Sequence, residues 1–234
     1  MTKLLGDAMK PTICAHTGAR PLKGVTGVIL AGGLSSRMGS NKALLPYKSG
    51  RCIEVIHRWL AALFDEVIVV TNTPEQYAFL PCRKVMDIHP DMGTLAGLHA
   101  GLYHSTSEHI FAVACDMPYL NSALISRIAA LGDGSAVVIP EGDKGLEPLH
   151  ALYGKECLAP MERSLLAGKR RIVSFFPEVA VRYLSRDAVA GLDPAFDSFR
   201  NINTPSDYFE LRDVERSPDV SEPAILLGGI RHTG

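Results

Sequence analysis

Short apolar runs that end in a glycine or a polar residue recur along this chain, with helix-like segments between them, and that alternation restricts it to an α/β architecture. Val25 to Leu30 reads as a first strand leading to Gly32, and Val67 to Thr71 as a buried β-branched strand leading to Asn72. Lys84 to Met86 is a short strand before Asp87, and Ile110 to Cys115 a strand before Asp116. Between them, Ile53, Ile56, Leu60 and Leu63 fall at helical spacing over Ile53 to Phe64, and Leu95 to Tyr103 reads as a helix. Asn121 is placed as the N-cap of a helix reaching Leu131. Ala136 to Pro140 and His150 to Tyr153 continue the sheet, and Cys157 to Leu166 reads as a helix in spite of Pro160. Thr204-Pro205 starts a last helix over Ser206 to Arg212. The expectation is a mainly parallel central sheet with helices on both faces. Such sheets bind ligands beyond the carboxyl ends of their strands, so Gly32, Asn72, Asp87 and Asp116 mark one functional edge.

The 234 residues suit one domain, taken as 25–212, between a leader over 1–24 expected to be disordered and a tail over 213–234. A formal charge of -1 predicts no strong pull toward nucleic acid. No secretory apolar core and no run near the ~18 residues of a membrane span is present, so no membrane association is expected. Cys14, Cys52, Cys82, Cys115 and Cys157 are widely spaced without a C-x-x-C pair, which indicates neither a disulfide framework nor a zinc ribbon and fits a reducing cytoplasm. The histidines show no metal-ligand spacing; His57, His99 and His104 read as helix-face residues.

The most specific segment is Leu30 to Lys42, LAGGLSSRMGSNK. Glycines after a strand let backbone N–H groups approach an anion, and the cations Arg37 and Lys42 can neutralise phosphate oxygens. Walker spacing is absent, because Ser40 and Asn41 separate Gly39 from Lys42, and the G-x-G-x-x-G fingerprint is absent as well. Asp116, in Cys115-Asp116-Met117-Pro118, is either a hard oxygen ligand for Mg²⁺ or the cap of the turn that Pro118 opens. Gly93 to Gly97 opens a helix with small residues, suited to a nucleotide or to tight packing. Asn72 offers both a donor and an acceptor to a nucleotide or to its own turn. Asn201 and Asn203 lie on one face of an extended segment, able to bond a second substrate or each other. Arg171, in Lys169-Arg170-Arg171, reads as a solvated helix end, and the hydrophobic alternation of Glu147 to Tyr153 as largely structural, with Glu147 and His150 able to border a cleft.

The Leu30–Lys42 loop resembles the signature of nucleotidyltransferases that activate a phosphorylated acceptor, in particular the molybdenum cofactor guanylyltransferase family. The sugar-nucleotide branch has Arg-Leu followed by Pro-Leu-Thr, whereas this chain has Arg37-Met38-Gly39. The C-D-x-P turn, the Glu147–Tyr153 segment and the closing Phe199-Arg200-Asn201-Ile202-Asn203-Thr204-Pro205 follow in the family's order, over roughly Val25 to Leu211; Thr94 stands where the family commonly has proline. The resemblance implies a Rossmann-like three-layer nucleotidyltransferase fold. It implies transfer of GMP from GTP to the terminal phosphate of Mo-molybdopterin, giving the guanine dinucleotide cofactor and pyrophosphate. By the same resemblance Arg37, Lys42 and Asp116 are catalytic, and Asp116 holds Mg²⁺. Leu30, Ala31, Gly32, Gly33, Lys42, Asn72, Asp87, Gly93 and Asp116 meet the nucleotide, and Arg171, Asn201 and Asn203 the acceptor. Molybdopterin-loading proteins or apo-molybdoenzymes are the protein partners this implies. A cytidylyltransferase, a sugar-phosphate nucleotidyltransferase and a non-catalytic molybdopterin or nucleotide carrier stand as alternatives.

Overall fold

A computed structural model of the chain describes residues 22–32, 41–47 and 50–202. The expected leader up to residue 21, the helix over 206–212 and the tail from 213 lie outside the described residues, as do Gly33, Arg37 and Asn203. The strands are β1 (Val25–Leu30), β2 (Pro46–Tyr47), β3 (Gly50–Arg51), β4 (Glu66–Val70), β5 (Arg83–Val85), β6 (His109–Ala114), β7 (Val137–Gly142), β8 (Gly145–Leu146), β9 (His150–Gly154) and β10 (Val181–Leu184). The α-helices are α1 (Cys52–Leu63), α2 (Thr94–His104), α3 (Ser122–Ala130), α4 (Leu158–Leu166) and α5 (Arg186–Ala190).

The central sheet has the order β5-β4-β1-β6-β9-β7-β10, with β8 paired to β7. Strands β5, β4, β1 and β6 are parallel, with Leu30 level with both Val70 and Ala114 and Val70 level with Val85. Only β9 runs against its neighbours β6 and β7 within this path. The stretch between Gly142 and His150 is shorter than the dozen or so residues a parallel crossover needs, so β9 has to return antiparallel. The architecture is the Rossmann-like α/β sheet, mixed and mostly parallel.

Alternation along the strands splits the core in two. Ile29, Val67, Val69, Phe111 and Val113 face α1 and α3, whereas Val28, Ile68, Val70, Ile110 and Ala112 face α2 and α4. Helix α2 is buried from Leu95 to Leu102, and residues of α4 such as Met161 and Leu165 pack with it in the same cluster. An apolar helix with no wet face is stable only when covered in this way. Pro160 is accommodated because it sits in the first turn of α4, where its missing N–H removes no intrahelical bond. Asn121 caps α3 as its spacing predicts, its Oδ1 accepting from Ala123 N (2.9 Å) and Leu124 N (3.1 Å). Leu22, inside the segment expected as leader, donates its N–H to Leu63 O at 2.8 Å and packs on the core. No helix among the described residues is long and apolar enough to cross a membrane.

The edge that carries the amino ends of the parallel strands is closed by matched polar groups. Thr26 Oγ1 donates to Glu66 Oε2 (2.8 Å), which also accepts from Thr106 N (3.0 Å) and Thr106 Oγ1 (2.8 Å). Burial opposes the Glu66 charge, but these bonds and the nearby Arg83 guanidinium outweigh it and hold the carboxyl below its ordinary value. The opposite edge is built differently.

Candidate active site

Register alone gathers the predicted residues at the carboxyl edge. Ala31 N donates to Val70 O (2.9 Å), Thr71 N to Val85 O (2.8 Å) and Cys115 N to Leu30 O (3.1 Å), so the chain leaves β1, β4, β5 and β6 at one level. Leu30, Ala31, Gly32, Asn72, Asp87 and Asp116 therefore share this edge. Asn72 and Asp87 are locked together: Asn72 Nδ2 donates to Asp87 Oδ2 (3.1 Å), and Asp87 N donates to Asn72 Oδ1 (3.0 Å). Asn72 thus positions Asp87 as well as facing solvent. Burial pushes the Asp87 carboxyl up; the Asn72 bond works against this, and the Asp91 charge adds to it. Among the described residues this carboxyl accepts fewer bonds than Glu66 at the far edge.

Helix α2 points its amino end into the same region. Gly93, its N-cap, has φ 74°, a left-handed conformation natural to glycine, and offers no side chain to cap the helix. Ala96 N donates to Gly93 O (3.1 Å), and the N–H groups of Thr94 and Leu95, with no side-chain cap, suit an external acceptor such as an anion. A Cβ at Gly97 would lie in ordinary contact, 3.5 Å from Asp87 Oδ1 and 3.7 Å from Leu30 Cδ2, so the first turns of α2 pack directly beside Asp87.

Lys42 begins a 3₁₀ turn, Lys42–Leu44, whose backbone is tied to the exit of β1. Asn41 Oδ1 accepts from Ala43 N (3.1 Å), its Nδ2 donates to Tyr77 Oη (2.9 Å), and Tyr77 Oη donates to Ala31 O (3.4 Å). Asn41 and Tyr77 are a clamp that the sequence reading missed. Asx-turn chemistry at Asn41 was readable, but nothing in the sequence marks Tyr77 as its partner. At the start of α1, Cys52 Sγ donates to Cys115 O (3.3 Å). Burial, with the nearby Cys115 and Asp116, pushes the Cys52 thiol up. The Lys42 turn and the Asp116 turn thus border the same end of β1.

Asp116 is half-buried, and its carbonyl accepts Ile202 N at 2.9 Å. That bond draws the closing segment onto the β6 exit and sets exposed Asn201 beside it, with Ile202 in the core. Arg171 is exposed and lines an open cleft of about 900 Å³ with Thr94, Leu146, Leu149 and Tyr183. A Cβ on Gly93 would lie 3.9 Å from Arg170 Cβ, so the basic cluster stands against the amino end of α2.

His150 departs from expectation. It is fully buried, edge-on to the rings of Phe111 (5.0 Å) and Phe199 (5.3 Å), and borders no cleft. Its place at the first position of β9, paired with Val113, turns it into the core. Glu147, three residues earlier, is half-buried, and burial pushes its carboxyl up to about 7, with Lys144 partly opposing. A carboxyl whose folded pKa is raised contributes stability that is complete below its unfolded value and lost as pH rises through about 7. Glu147→Gln is therefore expected to stabilise the protein by about 1–3 kcal/mol at pH 8 and little at pH 4. Urea midpoints at the two pH values measure this; an equal change at both would refute it.

A second polar cluster joins His89, before α2, His99 on α2 and Glu162 on α4, whose ligand atoms lie within 4.8 Å of one another. Their spacing in sequence gives no signal, which is why His99 reads there as a plain helix-face residue.

Residues 27–182 match the model of the MobA-like NTP transferase domain. The chain is 38% identical to a molybdenum cofactor guanylyltransferase of Desulfosudis oleivorans over 182 residues, covering 77% of this chain and 90% of that protein. It is 35% identical to a probable molybdenum cofactor guanylyltransferase of Peptoclostridium acidaminophilum over 219 residues, covering 90% of this chain and 97% of the relative. Among solved structures, it is similar to molybdopterin-guanine dinucleotide biosynthesis protein A from Archaeoglobus fulgidus, with a TM-score of 0.71 at 25% identity, covering 81% of this chain and 97% of that one.

Proposed function

We propose, from the premise that this chain belongs to the MobA-like NTP transferase family, that this nucleotidyltransferase moves GMP from GTP to the terminal phosphate of Mo-molybdopterin and releases pyrophosphate. The observation that carries the reading is the convergence of four strand exits, the uncapped start of α2, the Lys42 turn and the Asp116–Ile202 link at one sheet edge. An acceptor phosphate monoester is already anionic near neutral pH. Its oxygen forms a bond to the α-phosphorus of GTP while the bond from that phosphorus to the pyrophosphate oxygen breaks, so no general base is required. Alignment and charge neutralisation then carry the reaction.

In this reading Gly32, Gly33 and the start of α2 cradle phosphates with main-chain N–H groups, and Asp87, held by Asn72, meets the nucleoside. Lys42 and Arg37 neutralise the triphosphate and the departing pyrophosphate. Asp116, a carboxylate at the β6 exit beside this edge, fits Mg²⁺, which takes one or two carboxylates with phosphate oxygens and water. The ion supplies further charge neutralisation on those oxygens. Arg171, Asn201 and Asn203 are assigned to the acceptor.

Pyrophosphate release, followed with and without Mo-molybdopterin in the presence of Mg²⁺, tests the assignment. Release is expected only with acceptor, and faster from GTP than from CTP, ATP or UTP. A carrier releases none, and a preference for CTP points to cytidylyl transfer. Lys42→Ala is expected to lower turnover at saturating GTP by about 10²–10³-fold, the scale of losing one preorganised charge-stabilising group. Full activity in that variant removes Lys42 from the chemistry.

A further inference from the structure

We infer that His89, His99 and Glu162 form a binding site for a divalent transition-metal ion of the zinc class, separate from the Asp116 carboxylate. His99 Nε2 lies 3.1 Å from Glu162 Oε2, and His89 Nε2 lies 3.4 Å from Glu162 Oε1. Ligand atoms that share a tetrahedral ion with bonds of 2.0–2.1 Å stand roughly 3.3 Å apart. Each imidazole already stands at about that distance from one oxygen of the shared carboxylate, and one ligand atom from each of the three residues lies within 4.8 Å of the others.

A purely structural ion pair accounts poorly for the same groups. Nε2 of His89 is buried and makes no hydrogen bond although the Glu162 carboxylate is near. His99 is only 3% exposed, and its Nδ1 is likewise buried without a partner. The rings approach at 5.3 Å between centroids and 63° between planes, and both turn Nε2 toward one carboxylate: His99 Nε2 bonds to Glu162, while His89 Nε2 stays unpartnered among the described residues. Two imidazole nitrogens and one carboxylate oxygen are the donor set of three-ligand zinc and related transition-metal sites, whereas Mg²⁺ prefers oxygen donors. The Glu162 side chain is 44% exposed, which gives an ion a route from solvent and lets water complete its coordination.

The position gives the ion a consequence. His89 lies between Asp87 and Gly93, His99 is one turn into α2, and Glu162 is on α4. A bound ion therefore staples the β5–α2 connection, which carries Asp87, to two helices on one face of the sheet.

The test uses the full-length protein stripped of metal by a chelator and titrated with Co²⁺ as a visible probe, then with Zn²⁺ in competition. One Co²⁺ per chain, with the intense visible absorption of a low-coordinate site, is expected, together with displacement by stoichiometric Zn²⁺ and a raised Tm. His89→Ala and Glu162→Gln, chosen because neither removes a fully buried side chain, should each weaken binding by more than about 100-fold, beyond the loss of an outer-shell partner. Asp116→Ala should bind the ion as the unaltered protein does. Absence of stoichiometric binding, unchanged affinity in both variants, or displacement by excess Mg²⁺ overturns the assignment.

Discussion

Replacing Asp116 with alanine is expected to lower turnover by about 10²–10³-fold or more while leaving the fold intact. The expected loss follows from the placement of the side chain. Asp116 follows β6, the strand beside β1, and sits in the turn that receives the closing segment through the bond from Ile202 N. That bond uses the backbone carbonyl, so the substitution leaves the turn's connection to Ile202 in place and removes only the carboxylate. In the proposed role, its loss would leave Mg²⁺ one hard oxygen ligand fewer beside the phosphates. Steady-state turnover at saturating Mg²⁺ and GTP, with the thermal midpoint as control, measures the effect. Normal turnover with Mg²⁺ as the sole metal would show that Asp116 is not the ligand.

His150→Phe is expected to make the protein markedly more resistant to acid. Complete burial holds the His150 imidazole at about 3, although the Asp193 charge works in the other direction. Its folded pKa thus lies below its ordinary value of 6.5. The stability linked to the neutral ring is complete above 6.5 and is lost as pH falls toward 3, at up to ~1.4 kcal/mol per pH unit. By pH 4 the loss reaches about 3 kcal/mol. Both ring nitrogens are buried without hydrogen bonds, so phenylalanine, set between Phe111 and Phe199, leaves no polar partner unpaired. Urea unfolding at pH 7 and pH 4 should show the variant losing less stability than the natural chain. Equal losses in both would mean that His150 does not govern the acid transition.

The legible parts of the fold were those with unmixed physical signals. The mostly apolar, buried runs of β1 and β6 read as buried strands, and Gly32 after the first and Asp116 after the second marked where the edge begins. Asn121 and the Ile53-Ile56-Leu60 spacing located α3 and α1 in the same way. The expected strand over Lys84 to Met86 lies one residue earlier, at Arg83–Val85, because pairing with β4 decides it; Met86 is left 54% exposed. Strand β10 has no apolar run of its own and exists through its parallel pairing with β7. Contacts between distant residues of mixed character, such as Asn41 with Tyr77 or His99 with Glu162, have no periodicity and emerge only once the helices are packed.

The central claim is nucleotidyl transfer at one sheet edge, and following separately labelled phosphates of GTP tests it most directly. With Mo-molybdopterin present, label in the α-phosphate should appear in the dinucleotide product and label in the γ-phosphate in pyrophosphate. Release of the γ-label as inorganic phosphate, or an α-label that never joins the acceptor, would contradict the account.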